Sequence, residues 1–168
     1  SSCFRSSSTF RNKKKFNINN IRDGLNQHLR PLPISILNAE QVENTFHARF
    51  SANMRRYEYL ITNRRAPLAL EINKSWGVYK KLNLKKMKSE SQSFIGRHNL
   101  EAFRSIDCQS SSSIKTIDNI NLEEEGNKVI IKVSAKSFLH SQVRIMVGTL
   151  VEIGKGKIVK SLKEIIES

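Results

Sequence analysis

Acidic residues are scarce: 15 Asp and Glu stand against 29 Lys and Arg in 168 residues, for a formal net charge of +14. Such a surplus points to a polyanionic partner. No apolar run approaches the ~18 residues of a membrane-spanning helix. No basic amphipathic helix stands out either, so nucleic acid is favoured over a membrane surface. Two cysteines, Cys3 and Cys108, are too few for a disulfide framework and have no CxxC spacing, which implies free thiols in a reducing, cytoplasmic setting. The four histidines, His28, His47, His98 and His140, are scattered without HxxxH or HExxH spacing, so no metal is expected.

A hydrophobic content of 38% suffices for one ordinary core with appendages. The opening "SSCFRSSSTFRNKKKF" loosely fits a transit peptide but lacks a clear amphipathic helix, so residues 1–12 are expected to form a disordered tail. From Phe16 to Arg30, Ile18, Ile21, Leu25 and Leu29 recur at helical spacing, and "RPLP" ends the element. "ISILNAEQV" is expected to be a short strand. In "RRYEYLITN", Tyr57, Tyr59 and Ile61 alternate with Arg56, Glu58, Leu60 and Thr62, which predicts a strand with aromatics on one surface. "WGVYK" is a candidate extended piece. A helix is expected from Leu84 to Ile95, with Met87, Ser91, Phe94 and Ile95 inward and Gly96 as its stop. "IKTIDNINLEEEGNKVIIKVSA" predicts a hairpin turned at Glu125, Gly126 and Asn127, and a last helix is expected from Ser161.

The stretch "SFLHSQVRIMVGTL" sets one arginine in an apolar run. Val143, Met146, Val147, Leu150 and Val151 fall on one helical stripe, so a helix is expected to run to Ile153 and stop at Gly154. Arg144 then borders the buried stripe, and Gly148, one turn on, leaves room for another element to approach. Two readings stay open for Arg144: a snorkelling or structurally paired arginine, or a guanidinium held for a purpose. Together these elements predict an α+β fold, a largely antiparallel sheet with helices packed on one face. A free sheet face carrying tyrosine and flanked by arginine suits RNA, although the same tyrosines equally suit a core.

Three ordered blocks carry a resemblance: "FHARFSA" with "RRYEYLITN", "GRHNLEAFRSIDCQS", and "AKSFLHSQVRIMVGTLVEIGKGK". With "IRDGLNQHLRPLPISILNAEQV" between the halves, residues 13 to 168 resemble the tRNA pseudouridine synthase A family. The resemblance implies an isomerase that converts uridine to pseudouridine in the tRNA anticodon arm, without cofactor, as a cytoplasmic homodimer. It implies that residues 13–45 are a remnant of the N-terminal half and connector. Residues 46–168 would then be the C-terminal α+β domain, incomplete at its end. By motif position it places the family's supporting tyrosine and arginine on Tyr57 and Arg144. Arg144 would pair with a catalytic carboxylate, and Tyr57 would stack on the target base and assist proton transfer. Arg55, Arg56, Arg104, Lys115, Lys136 and His140 are candidate RNA contacts, each equally readable as a solvated surface group.

The family's nucleophile is an aspartate in an "RTDAGV"-like motif, and this sequence departs from it. Its only aspartates are Asp23, Asp107 and Asp118, and none has that context. Asp23 falls inside a predicted helix, and Asp107 and Asp118 fall in second-half blocks. Cys108 reads as a small core residue. The chain is therefore expected to be an internal fragment, as from a broken or frameshifted gene. Three readings follow: a synthase half whose nucleophile is lost or supplied by a complementing N-terminal polypeptide, a noncatalytic tRNA-binding module, or a nonfunctional remnant.

Overall fold

The computed structural model describes residues 8–9, 17–48, 50–108 and 110–168. Cys3, Phe16 and nearly all of the expected N-terminal tail lie outside them. Two compact units divide between Ala52 and Asn53.

In the first unit, α1 spans Ile18–Leu29. Asn17 caps it, its side chain accepting from the Asn19 N–H at 2.9 Å, and the proline at position 31 follows its end. The helix buries none of its residues. The expected strand in "ISILNAEQV" does not form: the segment has no strand partner and is irregular. Its fixed point is Asn26, whose side-chain amide donates to the Ile36 carbonyl at 3.0 Å and accepts from the Ile36 N–H at 2.7 Å. A short apolar run supplies side chains for a strand but not a sheet edge to pair with.

The second unit holds a four-stranded sheet and a two-stranded one. Its strands are β1 (Arg55–Asn63), β2 (Trp76–Val78), β3 (Gly96–Asn99), β4 (Ile114–Ile117), β5 (Asn119–Glu125) and β6 (Lys128–Ala135). The larger sheet has the order β2-β1-β6-β5, with β2 parallel to β1 and the other pairs antiparallel. The β5–β6 hairpin turns at Gly126, which takes φ 59°, a conformation glycine adopts without cost. The expected hairpin strand is split before β5: Ile114–Ile117 pairs with β3 instead.

The helices are α2 (Leu84–Ser91), α3 (Gln142–Gly154) and α4 (Leu162–Glu167). Helix α2 continues as a tight turn through Phe94, and Ile95 points outward rather than inward. The cause is the backbone: Ile95 is already extended, and Gly96 follows at φ 108°. Met87, Phe94, Met146, Leu150 and Leu162 join Ile131, Val133 and Ile120 in one core. Phe94 and Phe103 meet edge-on within it at 4.9 Å. Each such side chain contributes roughly 1.5–3 kcal/mol through burial. Helix α4 opens on a capping box in which Ser161 and Glu164 each bind the other's backbone N–H.

Register settles the two sheet faces. Tyr57, Tyr59 and Ile61 lie opposite Val133, Ile131 and Val129, so the tyrosines sit on the helix-covered face. The uncovered face carries Arg56, Glu58, Ser134, Lys132, Asn121 and Glu123, and Lys132 pairs with Glu123 there at 2.6 Å. A free face displaying tyrosine is thus corrected: the period-2 pattern separated the two sets, but it does not say which set the helices cover.

Candidate functional site

Tyr57 lies near the start of β1, where the core thins. The residue is 46% exposed, and its ring meets Phe138 edge-on, with centroids 5.3 Å apart and planes at 82°. Tyr59, two residues deeper, packs against the core. Phe138 belongs to the loop of residues 136–141 that joins β6 to α3. Arg55, whose partner across the ladder is Ala135, donates to the Lys136 carbonyl at 2.5 Å. The Leu139 N–H donates to Gln142 Oε1 at 2.7 Å, and the His140 N–H donates to Cys108 Sγ at 3.4 Å. The Ser105 N–H closes on the His140 carbonyl at 3.4 Å.

This loop delivers α3 at a fixed angle. Ser141, before the helix, is left-handed at φ 56° and makes no side-chain cap. Gln142 takes over that work by reaching back to Leu139 while fully buried. Arg144 follows in the first turn. Rather than bordering the stripe as its spacing suggested, it is exposed, and among the described residues it has no hydrogen-bond or ion-pair partner. Among the described residues no other element occupies the space at Gly148 either: a Cβ there would meet nothing within 4 Å. The guanidinium and the tyrosine ring are therefore both presented outward, on segments joined through Phe138.

The remaining candidates separate into distinct places. Lys136 and His140 are exposed on the same loop. Arg56 projects from the uncovered face beside Glu58 and Lys132, opposite Ser134. Arg104 is occupied, with Glu101 at 3.3 Å and the Cys108 carbonyl at 2.7 Å. Lys115 sits in the small sheet across from His98. Sequence reasoning missed Phe138 and Gln142, whose signal was modest: an aromatic just past a strand end, and a glutamine at the head of an apolar stripe.

Cys108 is buried, as its reading as a small core residue requires. N–H groups of Ser110 and His140 directed at its sulfur hold the thiol below its ordinary pKa, with help from Arg104 and against the effect of burial. None of the three aspartates resembles a primed nucleophile. Asp23 pairs with Arg22 at 2.8 Å, and Asp107 and Asp118 are exposed.

Residues 91–168 match the family model described as tRNA pseudouridine synthase. That span contains Arg144 and α3 but not Tyr57. Among curated proteins, the tRNA pseudouridine synthase A of Wolbachia pipientis subsp. Culex pipiens is 49% identical over 148 residues, covering 88% of this chain and 60% of that protein. The protein of the same name from Wolbachia pipientis wMel is 50% identical over 86% of this chain and 59% of its own length. That from Bradyrhizobium sp. strain BTAi1 is 48% identical over the same shares. The chain thus spans about three fifths of the length of the curated relatives it matches. From β1 through the Arg144 helix, the chain is closely similar to the corresponding three fifths of the tRNA pseudouridine synthase A proteins.

Proposed function

We propose that this chain provides the RNA-holding and carboxylate-orienting half of a tRNA pseudouridine synthase, an isomerase acting on anticodon-arm uridine in the cytoplasm. In that reaction the glycosidic bond breaks, the uracil turns, and a carbon–carbon bond closes. Two duties fall to residues of this chain. Arg144 pairs with the reacting carboxylate, keeping it ionised and aimed through a two-pronged hydrogen bond. Tyr57 stacks on the flipped base, a contact worth about 1–3 kcal/mol. Lys136, His140, Arg55 and Arg56 meet phosphates around it, and Arg104 and Lys115 stand further out in the same role. The nucleophilic aspartate is none of Asp23, Asp107 and Asp118. It comes from a complementing polypeptide, and two copies of that two-chain unit make the working assembly, in place of the intact family's homodimer.

The observation that carries this reading is the outward presentation of Arg144, without a partner among the described residues, on a helix whose approach is fixed by the loop that also braces Tyr57. An isolated arginine gains nothing from so rigid a mount; an arginine that orients a carboxylate does. A second reading, a tRNA-binding module without catalysis, is favoured by the exposure of Asp107 and Asp118 at the surface.

Tritium release from tRNA labelled at uracil C5 separates the two. The chain alone is expected to be silent, and release is expected when a separately expressed N-terminal half bearing the aspartate motif is added. Release by the chain alone would place the nucleophile on it. Salt-dependent tRNA binding with silence in both assays would establish the binding module.

A further inference from the structure

Five lysines crowd the approach to α2 and its first two turns: Lys80, Lys81, Lys85, Lys86 and Lys88. None has an ion-pair partner among the described residues, and all but Lys86 are exposed. The carboxylate on this helix, Glu90, is engaged elsewhere, accepting from the Leu162 N–H at 2.7 Å. The first turn of α2 contains no acidic residue, so Lys85 and Lys86 add positive charge to the positive end of the helix dipole. That placement works against the helix unless an anion sits nearby.

The helix also forms one wall of an open groove. Lys85, Lys88, Ser89 and Gln92, at helical spacing, face Asn119, Ile120 and Asn121 of the edge strand β5 across about 530 Å³. An adjoining groove includes Lys81 and Lys85, with Glu124 on its far side. Charge along β5 is uneven: asparagines lie at the Lys85–Lys88 end and Glu123, Glu124 and Glu125 at the other. An extended polyanion is thus admitted at one end of the strand and repelled at the other. The wide mouth does not suit a small ligand that must be enclosed.

Register connects this groove to Tyr57. Tyr57 lies opposite Val133, and Val133 lies opposite Ile120, which lines the groove. The row Tyr57, Val133, Ile120 crosses two strand spacings, ~10 Å in all, and ends at the groove. We propose that the groove between α2 and the β5 edge is a second RNA-binding site, in which Lys85 and Lys88 neutralise phosphates of the strand flanking the nucleotide held at Tyr57. The site rests on the reading of the chain as a tRNA binder, and it adds a path and a direction to it.

The test uses the full chain and a tRNA transcript, with affinity measured against salt. Lys85→Gln with Lys88→Gln is compared with Lys74→Gln with Lys160→Gln, an equal charge change at exposed lysines that have no ion-pair partner among the described residues. Glutamine matches lysine as a helix former, so the fold is kept. The groove pair is expected to weaken binding at least about tenfold and to flatten the plot of log K against log salt by about two, one per lysine. The control pair is expected to shift both far less. Equal losses from the two pairs would reduce the groove to general charge and overturn the site. An undiminished slope from the groove pair, with capture of polyglutamate lost, would reassign it to an acidic peptide. Absence of tRNA binding by the unaltered chain would instead overturn the functional reading beneath it.

Discussion

Near the C-terminal end of α3, a Cβ added to Gly154 would lie 2.8 Å from Met87 Cγ, nearer still to its sulfur, and 3.2 Å from a Leu82 methyl carbon. At Gly148, less than two turns earlier, an added Cβ would meet nothing within 4 Å. Two glycines on one helix thus answer to different neighbours. Gly154 is there because α2 already fills the space. Gly148 faces space that the described residues leave open, one turn from Arg144. Intramolecular packing accounts for the first and not for the second, which is where a partner would be expected to come close.

The largest test of this contrast is at the open end. In the complemented assay, Arg144→Lys is expected to lower turnover about a hundredfold, because a point charge cannot hold a carboxylate's orientation as a guanidinium fork does. Wild-type rates would remove Arg144 from the reaction. At the packed end, Gly154→Ala is expected to cost about 1–3 kcal/mol in urea unfolding through overpacking against Met87. No loss would mean that Met87 swings aside freely. Gly148→Ala should do the reverse, stabilising the isolated chain by about 0.5–1 kcal/mol as alanine replaces glycine in a helix interior. If the partner approaches there, the same variant slows the complemented reaction; unimpaired turnover would leave that space unoccupied.

The smallest effect concerns the charges of the packed end. Lys155 and Lys157 bind Glu152 at 2.8 and 3.2 Å and hold its carboxyl below its ordinary value of 4.5. A depressed acid stabilises the fold above its unfolded pKa, and that contribution disappears as pH falls through the folded value. Stability should therefore decline below about pH 4.5, and Glu152→Gln should flatten that decline. An unchanged acid limb in the variant would assign the decline to other carboxylates.

Much of this was legible in the sequence because one-dimensional period reports burial directly. The stripe Val143, Met146, Val147, Leu150 and Val151 is buried throughout, and β1, the β5–β6 turn and the start of α4 stand at the expected places. What period does not report is partnership. "GRHN" forms β3 only because Ile114–Ile117 lies beside it, and "ISILNAEQV", with more strand-like residues, finds no ladder. Arg144 shows the same limit at the candidate site. The spacing identified the helix and the family motif identified the position, but the side chain's outward pose depends on Gln142, Cys108 and Phe138 fixing the loop before it. The Cys108 and Phe138 contacts span long stretches of chain, and the local one, from Gln142 to Leu139, left only a modest signal.

That loop has a thermodynamic consequence. Lys136, Phe138, Leu139 and His140 are each tied by a different group, drawn from β1, α3 and the turn that contains Ser105 and Cys108. Connecting segments usually retain conformational freedom that a ligand must remove on binding, at roughly 1–2 kcal/mol per residue. Here that freedom is surrendered at folding. The amide protons of Leu139 and His140 should consequently exchange slowly with solvent, although they belong to no helix or strand, and the first turn of α3 should accept its partner with little further loss of entropy.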